Sequence, residues 1–268
     1  MGAGGETDPM TGLGRGRMSY LQDARLAREL AAAAGAELLK IRGTATGTEL
    51  GDAGDRASQR LLAAALAERR PGDRVLSEEA KDSPDRLSAS RVWIVDPLDG
   101  TREYSGPPRD DWAVHVALWA DGDLVAGAVA IPARGVVDAT DAPPSPPERA
   151  PGPLRLAVSR SRPPAFVTAL AAELGAVLVP MGSAGVKCAS VWRGEVDAYL
   201  HAGGQYEWDS AAPVAVARSA GLCACRLDGT PLVYNRPDPS LPDLIVSRPE
   251  FEASLLDAAR RHAPEVLP

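Results

Sequence analysis

Six of the twelve residues from Ala142 to Pro153 (APPSPPERAPGP) are proline. Proline lacks an amide hydrogen and fixes φ, so this stretch enters neither a helix interior nor the middle of a sheet. Regular structure must break here. The segment reads as a linker between a first half over residues 19–141 and a second over 154–268. At 268 residues the chain suits one large domain or two modest ones.

Residues 1–18 (MGAGGETDPMTGLGRGRM) are Gly-rich and lack the apolar run of a signal peptide, so a disordered tail is expected. From Ser19 to Arg42, Leu21, Leu26, Leu30, Ala33, Ala34, Leu38 and Ile41 recur mostly at spacings of three and four, which predicts a helix. A second helix is expected from Asp55 to Arg69, stopped by Pro71-Gly72. Val75-Leu76 is a short apolar run. Val92–Val95 is a continuous one that ends at Asp96, as a strand buried on both faces does. Residues 112–119 and 124–131 predict two strands joined at Asp121-Gly122-Asp123. Beyond the linker, strands at 154–158, 176–179, 196–200, 222–227 and 243–246 alternate with helices at 163–174, 183–193, 209–220 and 249–262. That alternation implies an α/β second half.

Charge and cysteine usage exclude several classes. Lys+Arg total 29 and Asp+Glu 36, giving a net charge of −7, so the electrostatic footprint of a nucleic-acid binder is missing. A small phosphorylated ligand remains open if cations mediate. No apolar stretch approaches the ~20 residues of a membrane span. Cys188, Cys223 and Cys225 are too few for a disulfide framework, and a reduced, cytoplasmic setting is expected.

Four acidic segments invite chemistry. In Asp96-Pro97-Leu98-Asp99-Gly100-Thr101, a buried strand ends in one carboxylate and meets another three residues on. Such a turn can offer two carboxylates and a peptide carbonyl to a cation and adjoining amides to a phosphate. A plain polar turn, with Thr101 capping a short helix, is the competing reading. Glu78-Glu79 follows a strand, where a solvated loop is the alternative. Asp209, in Glu207-Trp208-Asp209-Ser210, and Asp55 both stand at helix starts, where capping is the ordinary role.

Taken together, LSEEA, VWIVDPLDGTREY and EWDSAAP, in this order and spacing, resemble the inositol monophosphatase family over roughly residues 20–260. REYSGPPRDDWAVHVAL, GSAGVK and DAYLHAGGQYEWDSAAP resemble its CysQ-type 3'(2'),5'-bisphosphate nucleotidases most. The resemblance implies a layered αβαβα sandwich, with an α+β first half carrying most metal ligands and an α/β second half closing over substrate. It implies a lithium-sensitive phosphatase with two Mg²⁺ ions and room for a third. Glu78, Asp96, the Leu98 carbonyl, Asp99 and Asp209 match the family's metal ligands. Thr101 matches a threonine orienting the attacking water, and Asp55 an acidic position tied to the third ion and to water activation. Two departures are visible: Ser77 stands where glycine is usual, and GDAGD lacks a threonine often found before the Asp55 position.

A phosphate monoester dianion repels hydroxide, and Mg²⁺ gathered by hard oxygen ligands neutralises it while activating water. Five converging carboxylates without a cation would each repel a neighbour ~4 Å away by about 1–4 kcal/mol. For substrate, Leu98, Asp99, Gly100, Thr101, Ser183 and Asp209 are expected to face the phosphate. Lys187 would meet a second phosphate, Glu207 would bond a sugar hydroxyl, and His201 is placed for a 5'-phosphate or is an ordinary loop histidine. Arg102, Arg109 and His115 receive no role. Cys223-x-Cys225 has metal-like spacing but no partner pair, which favours strand packing. The leading expectation is removal of the 3'-phosphate from 3'-phosphoadenosine 5'-phosphate, or its sulfated analogue, in sulfate assimilation. Inositol, histidinol or fructose bisphosphate chemistry on the same site is the alternative, and a non-catalytic nucleotide-binding relative is the alternative of another class. The expected partner is a small nucleotide, with neither nucleic acid nor membrane; a homodimer is left open.

Overall fold

The computed structural model describes residues 10–44 and 49–263, with side chains described from residue 20 onward. Helices α1 (Met10–Thr44) and α2 (Leu50–Arg69) precede a first sheet of β1 (Arg74–Ser77), β2 (Arg91–Asp99), β3 (Ala113–Ala120), β4 (Asp123–Ile131) and β5 (Val136–Ala139). A single-turn helix, α3 (Thr101–Tyr104), follows β2 directly. After the proline-rich stretch come β6 (Arg155–Ser159), α4 (Ala165–Leu174), β7 (Val177–Met181), α5 (Ala184–Trp192), β8 (Ala198–Tyr206), α6 (Glu207–Ser219), β9 (Cys223–Cys225), β10 (Ser240–Ser247) and α7 (Glu252–His262). The first sheet runs β1-β2-β3-β4-β5, parallel only between β1 and β2. The second runs β7-β6-β8-β10-β9, with β6 parallel to both neighbours and β10 antiparallel to both of its own.

Both sheets are buried on two faces, and the period-two alternation of strands shows how. Trp93 and Val95 point into a core with Leu26, Leu30 and Leu38 of α1 and Leu62 and Leu66 of α2. Val92 and Ile94, on the opposite face, share a core with Val186 and Val191 of α5 and Val214 and Val216 of α6. That same middle core takes Tyr199, Leu244 and Val246 from the second sheet. Leu156, Leu200 and Ile245 face outward instead, beneath Leu170 of α4 and Leu255 of α7. The order is therefore helices, sheet, helices, sheet, helices: a five-layer αβαβα sandwich, as expected. In the middle, Gly127 of β4 lets α6 approach the sheet. A Cβ there would lie 2.7 Å from that of Ala215.

Several boundaries move. Helix α1 begins at Met10, so residues 10–18 of the expected tail are helical, while 1–9 lie outside the described residues. Its buried stripe runs through Ala27 and Ala31, and Leu21 and Ala33 are exposed. Helix α2 begins five residues before Asp55, behind Glu49, so Asp55 lies inside the helix rather than capping it. Gly100 takes the N-cap position of α3 at φ 90°, and Thr101 is its first residue. Strand β5, with only four residues and polar Asp138, gave no alternation long enough to be read. The proline-rich stretch is not loosely tethered: Arg149 pairs with Asp197 (3.1 Å), donates to the carbonyls of Gly152 and Pro153, and lies over the Phe251 ring. Among the described residues no helix is long and apolar enough to cross a membrane.

Candidate active site

Two carboxylates three residues apart on a regular strand point to opposite faces. Strand β2 avoids this with one extra residue. Asp96 pairs with His115 and Asp99 with Ala113, so three steps on β2 match two on β3. This bulge restores the parity and turns Asp96 and Asp99 toward the same place. Pro97 has no amide to lose, and its carbonyl accepts the Ser58 hydroxyl of α2 (2.7 Å). Asp96 Oδ1 accepts the Leu98 amide (3.0 Å), and the Leu98 carbonyl accepts the Thr101 hydroxyl (3.2 Å), which leaves that carbonyl one lone pair.

Asp209 arrives from the other half. It is the third residue of α6, and its Oδ2 accepts the Tyr206 amide (2.7 Å), so it does share in capping, but from inside the helix. The ligand atoms of Asp96, Asp99 and Asp209 lie within 4.8 Å of one another. Asp99 does more. Its Oδ2 accepts the Gly185 amide (2.7 Å) and the Ser183 hydroxyl, which binds it to the start of α5. Ser183 holds a strained φ of 51° to do so, and its hydroxyl also accepts the Val186 amide (3.0 Å).

Glu78 and Asp55 stand at the edge of this group. Parallel pairing of β1 with β2 sets Ser77 opposite Val95, so the next residue, Glu78, reaches Asp96. Glu78 is exposed as a residue, yet its carboxyl turns inward beside Asp96. Asp55 contacts the Thr101 side chain from α2. Burial, then the charges of Asp99 and Glu79, pushes Glu78 up to about 7. Burial, then Glu79 and Glu78, pushes Asp55 up to about 7. Burial and Asp99 push Asp209 up to about 8, and burial with Glu78, Asp99 and Asp209 holds Asp96 well above the carboxylate range. Carboxyls held this high by burial and by one another's charge are groups short of a countercharge. A divalent cation with hard oxygen ligands fits that donor set.

A cleft of about 530 Å³ opens over Asp99 and Asp209. Gly100, Thr101, Ser183 and Lys187 line it, together with Arg102, Arg162 and His201. The Lys187 ammonium lies over the Tyr199 ring at 5.2 Å, and burial lowers its pKa. His201 is pushed down to about 4 by burial, with Nε2 2.7 Å from the Gly203 carbonyl. In the ligand-free protein the imidazole is therefore neutral at pH 7. Glu207 corrects a further expectation: it is fully buried, and its oxygens accept the Asn235 and Arg236 amides (2.7 and 2.8 Å), so it does not reach a sugar. Arg109 is spent on Asp111. Cys223 and Cys225 sit on β9 as free thiols. Sequence reasoning missed His115, which is wholly buried behind the acidic group: Nδ1 lies 3.1 Å from the Trp208 carbonyl and Nε2 3.3 Å from Asp99. Only the β2–β3 register, which sets it opposite Asp96, reveals it.

The sequence matches the inositol monophosphatase family over residues 19–263. The chain belongs to that family. A 3'-phosphoadenosine 5'-phosphate phosphatase of Mycobacterium leprae is 49% identical over 261 residues, covering 92% of this chain and 96% of the relative. One of Mycobacterium bovis is 55% identical over 217 residues, covering 78% and 81%. The structure of CysQ from Bacteroides thetaiotaomicron superposes with a TM-score of 0.77 at 25% identity, covering 86% of this chain and 98% of that one. Family membership makes the acidic group a metal-binding candidate on two independent grounds, ancestry and unbalanced charge.

Proposed function

We propose that this chain is a Mg²⁺-dependent phosphomonoesterase that removes the 3'-phosphate of 3'-phosphoadenosine 5'-phosphate. The observation that carries the reading is a cleft with two kinds of charge. Asp99 and Asp209 lie at its floor with Asp96 buried beside them, while Arg102, Arg162 and Lys187 stand on its walls. A substrate with one phosphate for the cations at the floor and another for the walls fits both. A polyol monophosphate leaves the wall cations unmatched. The names of the mycobacterial relatives point the same way.

Asp96, Asp99, Asp209, Glu78 and the Leu98 carbonyl are the groups that would hold the ions, with Asp55 offering a further carboxylate. Mg²⁺ held there supplies charge neutralisation for the phosphoryl group and a more acidic water. The chain does the rest. Thr101 and Asp55 lie together, placed to orient water and take its proton. The glycine at position 100 and the start of α5 at Ser183 bring backbone close to the phosphate. Arg162 and Lys187 hold the far end of the nucleotide and exclude uncharged alternatives. No covalent nucleophile is needed. Three unpaired cysteines suit a reducing cytoplasm.

The test is phosphate release with Mg²⁺ across a panel: 3'-phosphoadenosine 5'-phosphate, inositol 1-phosphate, histidinol phosphate and fructose 1,6-bisphosphate. The expected kcat/KM favours the first. Preference for a polyol or sugar phosphate overturns the substrate, and silence on every member overturns the reaction.

A further inference from the structure

The buried Glu207 belongs to a lock that spans the two halves of the chain. It stands two residues before Asp209 and fixes the amides of Asn235 and Arg236. The same two residues are gripped from the first half. The Arg86 guanidinium, 1% exposed, donates to the Asn235 side-chain oxygen (2.9 Å) and to the Arg236 carbonyl (2.8 Å). It also forms a two-pronged pair with Asp82 (2.7 and 2.9 Å), four residues after Glu78. Asn235 returns a hydrogen bond from Nδ2 to the Arg86 carbonyl (3.2 Å) and holds a left-handed φ of 59°. Each guanidinium nitrogen of Arg86 and each carboxylate oxygen of Glu207 thus has a partner.

None of these groups lines the cleft. Burying a guanidinium and a carboxylate costs more than filling the space with apolar side chains, so stability alone is a weak reason for them. Their neighbours in sequence supply a better one. Residues 78–83 are exposed and make few anchoring contacts of their own, whereas the turn of 3₁₀ helix at Pro84–Ser88 is fastened through Arg86. Asp209 hangs from the helix that Glu207 starts. Mg²⁺ demands oxygen ligands at about 2.0–2.1 Å in near-octahedral order. A turn and a helix start from opposite halves meet that demand only if something sets their separation.

We infer that Arg86, acting through Asn235 and Glu207, is a positioning residue of the metal site: it holds the Glu78 turn at a fixed distance from Asp209. The inference rests on Glu78 and Asp209 being cation ligands. Its mark is a metal affinity that depends on residues remote from the metal. Losing an outer partner of a ligand set weakens affinity by roughly 10–100-fold.

The experiment compares Arg86→Lys, Asn235→Gly and Glu78→Gln in the full chain. Asn235→Gly keeps the left-handed backbone while deleting the bridging side chain, so it keeps the test open if the Arg86 variant fails to fold. Mg²⁺ binding is read by calorimetric titration, alongside the Mg²⁺ dependence of phosphate release and the thermal midpoint. The expected result is about a tenfold weaker Mg²⁺ affinity in Asn235→Gly and in Arg86→Lys, with kcat recovering at saturating Mg²⁺. A lowered midpoint with Mg²⁺ affinity unchanged in both overturns the inference and leaves a merely structural lock. If Glu78→Gln weakens Mg²⁺ binding while the lock variants do not, the lock is wrong and the site reading stands. If Glu78→Gln leaves Mg²⁺ binding unchanged, the site reading fails and takes the lock with it.

Discussion

Asp96 is 1% exposed and faces Glu78, Asp99 and Asp209, so in the ion-free protein burial and three carboxyls oppose its charge, which the Leu98 amide offsets only in part. Asp96→Asn removes that charge and keeps the shape. Turnover should fall by at least about 100-fold, the upper range for a group that only supports a ligand from behind. The metal-free variant should also melt higher, by about 2–4 °C for each kcal/mol of relieved repulsion. Normal rates with normal Mg²⁺ dependence would refute the assignment. The pH dependence follows from the same crowding. Unfolded carboxyls titrate near about 4, whereas Glu78 and Asp55 keep their protons to about 7 and Asp209 to about 8. Folding favours the protonated forms, so their contribution is full below the unfolded values and is lost as pH rises through 7–8. The metal-free midpoint should therefore fall between pH 5 and 8, with Mg²⁺ restoring it most at the alkaline end. A flat profile measured by calorimetry contradicts this. At this scale the sequence is ambiguous for a physical reason. The side chains that cap helices are also those that bind cations, so Asp55 and Asp209 read alike, yet Asp55 lies inside α2 and Asp209 is the third residue of α6.

Among elements, α6 carries the most responsibility, because it is packed on the first sheet while its first turn holds Asp209. Gly127 sets its distance. Gly127→Val should push α6 off β4 and destabilise by about 1–3 kcal/mol, the usual cost of overpacking. Activity should fall further than stability alone explains, since Asp209 moves with the helix. Urea unfolding together with kcat/KM checks both, and an active variant of full stability rejects the close packing. Strands were legible where two-sided burial leaves an apolar run, as at Val92–Val95, and hairpins where Asp121-Gly122 marks the turn. Helix α1 reads short in the sequence because Gly12, Gly14 and Gly16 lower helix propensity, while the structure continues the helix through them.

For the whole molecule, the proline-rich stretch separates the sheets but not the cores. Helices α5 and α6 come from the second half and pack against β2, β3 and β4 of the first. Neither half buries its own inner face alone. Unfolding in urea should then be a single transition, with tryptophan fluorescence and far-ultraviolet circular dichroism coinciding. Two separated transitions would show that the halves fold independently. The α/β character of the second half was legible in the alternation beyond residue 154, whereas the five layers were implied by the family resemblance. The sharing of the middle layer was not, because periodicity shows that a face is apolar without showing what covers it.

The extra residue in β2 has a geometric consequence. Between Asp96 and Asp99 the spacing acts like a reading frame in space. Deleting one residue there would swing a carboxylate among Tyr104, Leu98 and Leu38, where no cation waits. The number of residues between Asp96 and Asp99, through the bulge it creates, is what aims both carboxyls at one place.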